Sequence, residues 1–269
     1  MARDKDREAR YLYCIIKCKE ERNFDGLQAI GGDDAPVYTI VFKDLACVVS
    51  DSPDMKYDST RANMMAHETV IEHVMTGGGF TVLPIRFGTV TTKGSTSPED
   101  DIKHKLLESK YEEFHDLYNK VEGKVELGLK ALWRDEKAIF DEIVAGNKEI
   151  RRLRNVLMRS MERPPEATHF DRARIGEMVK SAMDAKRERE ARKLLYRLRP
   201  IADQVRENKI IMDRMVLNAA FLVDKRREES FDQLVKKLDE ELAERMVFKY
   251  TGPNPPFNFC EIAVNWGED

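Results

Sequence analysis

Five histidines, four cysteines and one run of three glycines are the places where this 269-residue chain could hold a metal, a nucleophile or a phosphate. His67, Glu68 and His73 have the residue types of a zinc-binding helix. Such a helix needs its two histidines four positions apart on one face, and six positions is roughly 240° around. Cys14 and Cys18 lie in a segment that reads as a strand, roughly 13 Å apart at ~3.3 Å per residue, too far to share a metal. Small buried hydrophobes describe them better. Gly77-Gly78-Gly79 lacks the Gly-Lys-Ser/Thr sequel and closes a helix, whereas a phosphate cradle opens one. A flexible link is the simpler role. With no Gly-x-Ser-x-Gly turn either, the residues predict no catalytic group, no metal ligand and no cofactor.

His67 and Glu68 remain informative, because Met64, Ile71, Val74 and Met75 form the apolar stripe beside them. Two roles fit. They are a bonded pair at the core margin, or a buried polar relay with Arg86, since an unpaired buried carboxylate is costly. The stretch from Lys186 to Lys193 is basic but mixed in sign and has no aromatic ladder for bases. It reads as a solvated helix face, with docking of an acidic partner as the secondary reading. Charged residues reach 35% yet nearly cancel to a net charge of −3, which argues against a nucleic-acid partner. No apolar run approaches the roughly 18–20 residues of a membrane span, so no lipid membrane is expected. Scattered cysteines without an export signal predict reduced thiols in the cytoplasm.

The elements that must position these residues divide into two halves, as the length suggests. Tyr11–Cys18 is apolar on both faces, which predicts a central strand, and Gly26, Gly31-Gly32 and Asp33-Asp34 mark a loop. Val37–Phe42 and Leu45–Val49, split by Lys43-Asp44, predict a hairpin. Ser59 or Thr60 caps a helix to about Met75, Phe80–Val90 returns to extended structure, and Ser97-Pro98 starts a further helix. The second half predicts a strand at Val125–Trp133, a helix over 135–161 stopped by Pro164-Pro165, and a helix over 171–208 interrupted at Pro200. A strand at Met215–Val223, a helix at Glu228–Arg245, a strand at Val247–Tyr250 and an extended tail follow. The expected fold is α+β in two domains. Residues 1–122 form a small mixed sheet with a helix on one face, and 123–269 a modified ferredoxin-like domain with long helices.

Two proline-marked segments stand out. In Leu83-Pro84-Ile85-Arg86-Phe87-Gly88, Pro84 removes a ladder donor and predicts a sheet edge, with Arg86 held beside it. In Gly252-Pro253-Asn254-Pro255-Pro256-Phe257, three prolines stiffen the chain after a strand, which suits either a lock on the tail or a recognition surface. Together with Tyr11-Leu12-Tyr13, His67-Glu68, Val70-Ile71-Glu72, Asn218-Ala219-Ala220-Phe221-Leu222-Val223 and Phe257-Asn258-Phe259, in this order, they resemble the gas vesicle protein F/L family over nearly the whole chain. Asn254 and Phe257 stand where many members carry Trp and Tyr.

The resemblance implies a non-enzymatic accessory or minor structural protein of gas vesicle formation, found at the gas vesicle and in the cytoplasm during assembly. Its implied partners are the small hydrophobic gas vesicle shell protein and other gas vesicle accessory proteins. Pro84, Arg86, Phe87, Pro253, Pro255, Pro256 and Phe257 are the candidate contact residues, with His67 and Glu68 as internal supports. The alternative is a small-molecule-binding regulatory protein built from ferredoxin-like domains.

Overall fold

The computed structural model describes residues 9–31, 35–91, 97–159 and 169–266. The glycine-aspartate stretch at 32–34 and the expected helix stop at Pro164-Pro165 lie outside them. Two compact units emerge: the described residues up to Glu126 together with those from Gly252 onward, and Leu127–Thr251. The segment from Gly252 therefore packs with the first half of the chain, whereas the expected boundary at 122/123 groups it with the second.

The first unit contains a five-stranded sheet. β1 (Ala9–Lys17), β2 (Asn23–Phe24), β3 (Val37–Phe42), β4 (Leu45–Ser52) and β5 (Val82–Pro84) are ordered β2-β3-β4-β1-β5. Every strand pairing is antiparallel, so the sheet is not the mixed one expected. β1 is interior and buried on both faces because both of its faces are apolar. The β3–β4 hairpin closes at Lys43-Asp44, with Lys43 at a φ of 56°. β5 is an edge strand only three residues long, as a proline at its end requires.

Helix α1 (Arg61–Thr76) starts at Thr60, whose side chain accepts from the Asn63 amide. It buries His67, Val70, Ile71 and Val74. Ser97 caps α2 (Pro98–Asp100) by accepting from the Asp100 amide, and the chain runs on as a π-helical stretch over Asp101–Glu108. α3 (Tyr111–Val121) completes this part, burying Phe114, Tyr118 and Val121.

In the second unit β6 (Lys124–Trp133) leads to α4 (Glu136–Gly146) and α5 (Lys148–Arg159). The single helix expected over 135–161 is thus two. Asn147 breaks them: its backbone turns extended, and its side chain accepts from the amides of Glu149 and Ile150 to start α5. α6 (His169–Leu198) ends before Pro200, whose ring cannot continue the helix. The residues beyond form a strand, β7 (Gln204–Glu207), where helix was expected up to 208. β8 (Met215–Asp224), α7 (Glu228–Leu242) and β9 (Met246–Asn254) follow, and the sheet order is β7-β8-β6-β9. α8 (Phe257–Cys260) interrupts the tail, which is expected to be extended.

Candidate functional site

The two proline-marked segments, about 165 residues apart, meet in the first unit around His67. Phe87 stands edge-on to the imidazole at 5.7 Å between ring centroids, and Phe257 lies tilted at 6.5 Å. Tyr13 stacks on the ring at 5.8 Å and Tyr11 meets it edge-on at 5.6 Å. Aromatic pairs at these separations favour offset and edge arrangements, so the histidine sits as one ring among four.

The polar atoms of this cluster are all spent. Ile85 O can only accept, so His67 Nε2 carries the proton and donates to it at 3.1 Å. His67 Nδ1 is then the acceptor for the Tyr11 hydroxyl at 3.0 Å, and that hydroxyl in turn accepts from the Gly88 amide at 2.9 Å. One chain of bonds thus ties β1, α1 and the turn after β5 together. Burial lowers the His67 pKa to about 4, the Ile85 bond opposing it, and burial raises that of Tyr11. His67 is a neutral structural group at neutral pH.

Backbone contacts complete the junction. The Ile262 amide donates to Pro84 O and the Arg86 amide to Ile262 O, both at 2.8 Å, so the tail covers the outer edge of β5 there. Glu126 is 4% exposed and accepts from the Asn258 amide at 2.9 Å and from Asn258 Nδ2 at 2.6 Å. Lys120 Nζ donates to Phe259 O, and the Trp266 indole donates to Val90 O at 2.7 Å. The Gly252–Pro253 bond is cis.

The nine singled-out residues divide by exposure. Pro84, Pro255, Pro256 and His67 are buried, Phe87 and Phe257 are half-buried, and Arg86 and Pro253 are exposed. Glu68 is not the internal support expected. It lies on the exposed side of α1, its carboxyl pushed up by partial desolvation and by Glu72. The relay from His67 to Arg86 does not form either, because Arg86 Nε instead meets Glu261 at 3.3 Å on the surface. Glu126 was missed. It sits in the alternating run of β6 between Val125 and Leu127, and its contact with Asn258, 132 residues away, gives it a role.

A second cluster that sequence reasoning missed lies in the second unit. Arg245 donates to both oxygens of Glu142 at 2.8 and 3.0 Å and to Glu190 at 2.6 Å. Glu190 also accepts from the Trp133 indole at 2.7 Å, and Lys186 pairs with Glu142 at 2.7 Å. The Arg245 and Lys186 bonds hold the Glu142 carboxyl down at about 2. The basic run 186–193 is therefore partly an internal ion-pair frame. Cys14, Cys18, Cys47 and Cys260 are buried free thiols, and burial pushes Cys260 up to about 12. Among the described residues no group of three or more His, Cys, Asp or Glu side chains could hold a metal, and no helix is long and apolar enough to cross a membrane.

The fold is α+β, and its buried histidine, tyrosine and carboxylate all bond to the chain's own backbone. The chain belongs to the gas vesicle synthesis protein GvpL/GvpF family, whose model matches residues 9–261. It is 28% identical to gas vesicle protein F of Nostoc sp. (strain PCC 7120) over 87% of this chain and 91% of that protein. It is 26% identical to gas vesicle protein F of Haloferax mediterranei over 94% of both. Among solved structures it is similar to gas vesicle protein GvpF from Anabaena sp. PCC7120, with a TM-score of 0.77 and 26% identity over 96% of this chain and 100% of that one. It is also similar to GvpF from Microcystis aeruginosa, at a TM-score of 0.75 and 25% identity over 95% and 100%. The family is one of gas vesicle accessory proteins and is not a known enzyme family.

Proposed function

We propose that this chain is a non-enzymatic accessory or minor structural protein of gas vesicle formation, binding the small hydrophobic shell protein and other accessory proteins to assist nucleation or assembly of the wall. The observation that carries this reading is the family match across residues 9–261, with relatives named gas vesicle protein F along most of their length. The physical need is clear. A subunit that will face gas exposes apolar surface and strand edges, which aggregate in water unless covered. The protein acts in the cytoplasm while the wall grows. Its second unit reads as ferredoxin-like, because the order β7-β8-β6-β9 is that of a β-α-β-β-α-β unit whose first crossover has grown to three helices.

The contact surface centres on Arg86 and Pro253, with the half-buried Phe87 and Phe257 beside them, while Pro84, Pro255 and Pro256 set its shape. The test is capture of co-expressed shell protein by the tagged chain, wild type against the double substitution Arg86→Ala with Pro253→Ala. Loss of capture with an unchanged melting temperature supports the surface, and unchanged capture overturns it. A wild-type chain that captures no shell protein overturns the binding role itself.

A small-molecule regulatory role has one observation in its favour, a cleft of about 700 Å³ in the second unit lined by Leu195, Tyr196, Arg199, Ile210, Val216 and Asn218. A thermal-shift survey with nucleotides and amino acids distinguishes the two, since a ligand that binds the native state raises the midpoint.

A further inference from the structure

α5 carries five basic residues and one acid between Lys148 and Arg159, a formal charge of +4. α7 carries six acids and two lysines between Glu228 and Leu242, a formal charge of −4. These opposite helices belong to the same unit, yet they dock at opposite ends of α6. Arg174 near the start of α6 pairs with Glu149 of α5, whereas Arg197 near its end pairs with Glu241 of α7. The roughly 23 residue steps from one arginine to the other span ~34 Å at ~1.5 Å per helical residue. Charges are screened over ~8 Å at physiological ionic strength, so the two helices do not neutralise each other within one copy.

Part of the charge on each helix is also unspent. Several arginines elsewhere in this unit meet carboxylates, among them Arg174, Arg187, Arg197 and Arg245. Among the described residues Arg151, Arg152, Arg154 and Arg159 meet none, and Arg154 Nε is a buried donor with no hydrogen-bond partner. On α7, Asp239 and Glu240 are exposed and unpaired among the described residues.

We propose that α5 of one copy docks against the acidic face of α7 on a second copy of this chain, head to tail. The two surfaces differ, so the contact is heterologous and each added copy offers both a free basic and a free acidic end. Such a contact builds a row or ring, and because it rests on exposed charges it weakens with salt.

Sedimentation velocity of the whole chain at about 20 mM and about 500 mM salt tests this, spanning long and short screening lengths. The expected result is concentration-dependent association at low salt that is lost at high salt. The variant Arg151→Glu/Arg152→Glu and the variant Asp239→Lys/Glu240→Lys each associate roughly tenfold more weakly or worse. An equimolar mixture of the two variants recovers association, because each supplies the sign the other lost. A monomeric wild type at low salt overturns the proposal, as does association that ignores salt. So does a mixture that stays monomeric while both variants melt like the wild type. If the α5 variant keeps self-association but loses an acidic heterologous partner, that partner and not a second copy occupies α5, and the proposal fails.

Discussion

His67 is held neutral by its surroundings: four aromatic rings exclude water, and its two nitrogens are committed to Tyr11 and Ile85. The folded pKa of about 4 lies below the unfolded value of 6.5, so protons bind the unfolded chain first as the pH falls. The stability this histidine supports is complete above pH ~6.5 and declines as the pH drops toward ~4, by at most about 3 kcal/mol. Urea unfolding measured from pH 7.5 to pH 4.5 is expected to show this slope, and His67→Gln to flatten it. Glu126 makes a second residue-scale prediction. Glu126→Ala leaves Asn258 without its buried acceptor and costs about 2–3 kcal/mol, against about 1 for Glu126→Gln, which keeps an oxygen there. Both values are read from denaturant midpoints. Tyr11 and His67 were conspicuous in the sequence, but their bond was not, because nothing local links residues 56 positions apart.

Among the elements, those with strong local signals were legible. The β3–β4 hairpin, the Thr60 cap and the edge position of β5 each follow from two or three adjacent residues. The break at Asn147 and the strand β7 were not, since each depends on a competition that a helical pattern hides: side-chain capping in one case, pairing with β8 in the other. The same holds for the frame joining β6, α4 and α6, whose members Trp133, Glu142, Glu190 and Arg245 lie far apart in the sequence. Arg245→Ala removes the guanidinium that bonds both carboxylates and leaves Lys186 as their remaining cation. It is expected to lower unfolding stability by roughly 1–2 kcal/mol, discounted for the partial exposure of the site. The Trp133 indole reports the change, and its emission in the variant is expected to shift before global unfolding begins.

At the scale of the molecule, the owner of the closing segment was not legible from length or from the order of strands and helices. Proline spacing marked it as stiff. Its partners Pro84, Arg86, Val90 and Glu126 became visible only in three dimensions. The division into units predicts how fragments behave. Residues 124–254 carry β6 to β9 and α4 to α7 complete, so this fragment is expected to give a cooperative thermal transition by circular dichroism. Residues 1–126 alone lack Phe257, Asn258 and Ile262. They are expected to melt at a lower temperature and to be stabilised by the peptide 252–269 added in trans. Equal melting with and without that peptide would show that the tail contributes nothing to the first unit.

The locked tail also has a consequence in time. A ribosome delivers β1 to β5 and α1 first, then about 125 residues of the second unit, and only afterwards Phe257, Asn258 and Ile262. At ~5–20 residues per second, the backbone beside Pro84 and the ring pocket of His67 wait roughly 6–25 seconds for their cover. The second unit can be finished before the first one is sealed. During that wait the nascent chain presents an open strand edge, and a slower codon run within the second unit would lengthen the exposure without changing a single residue.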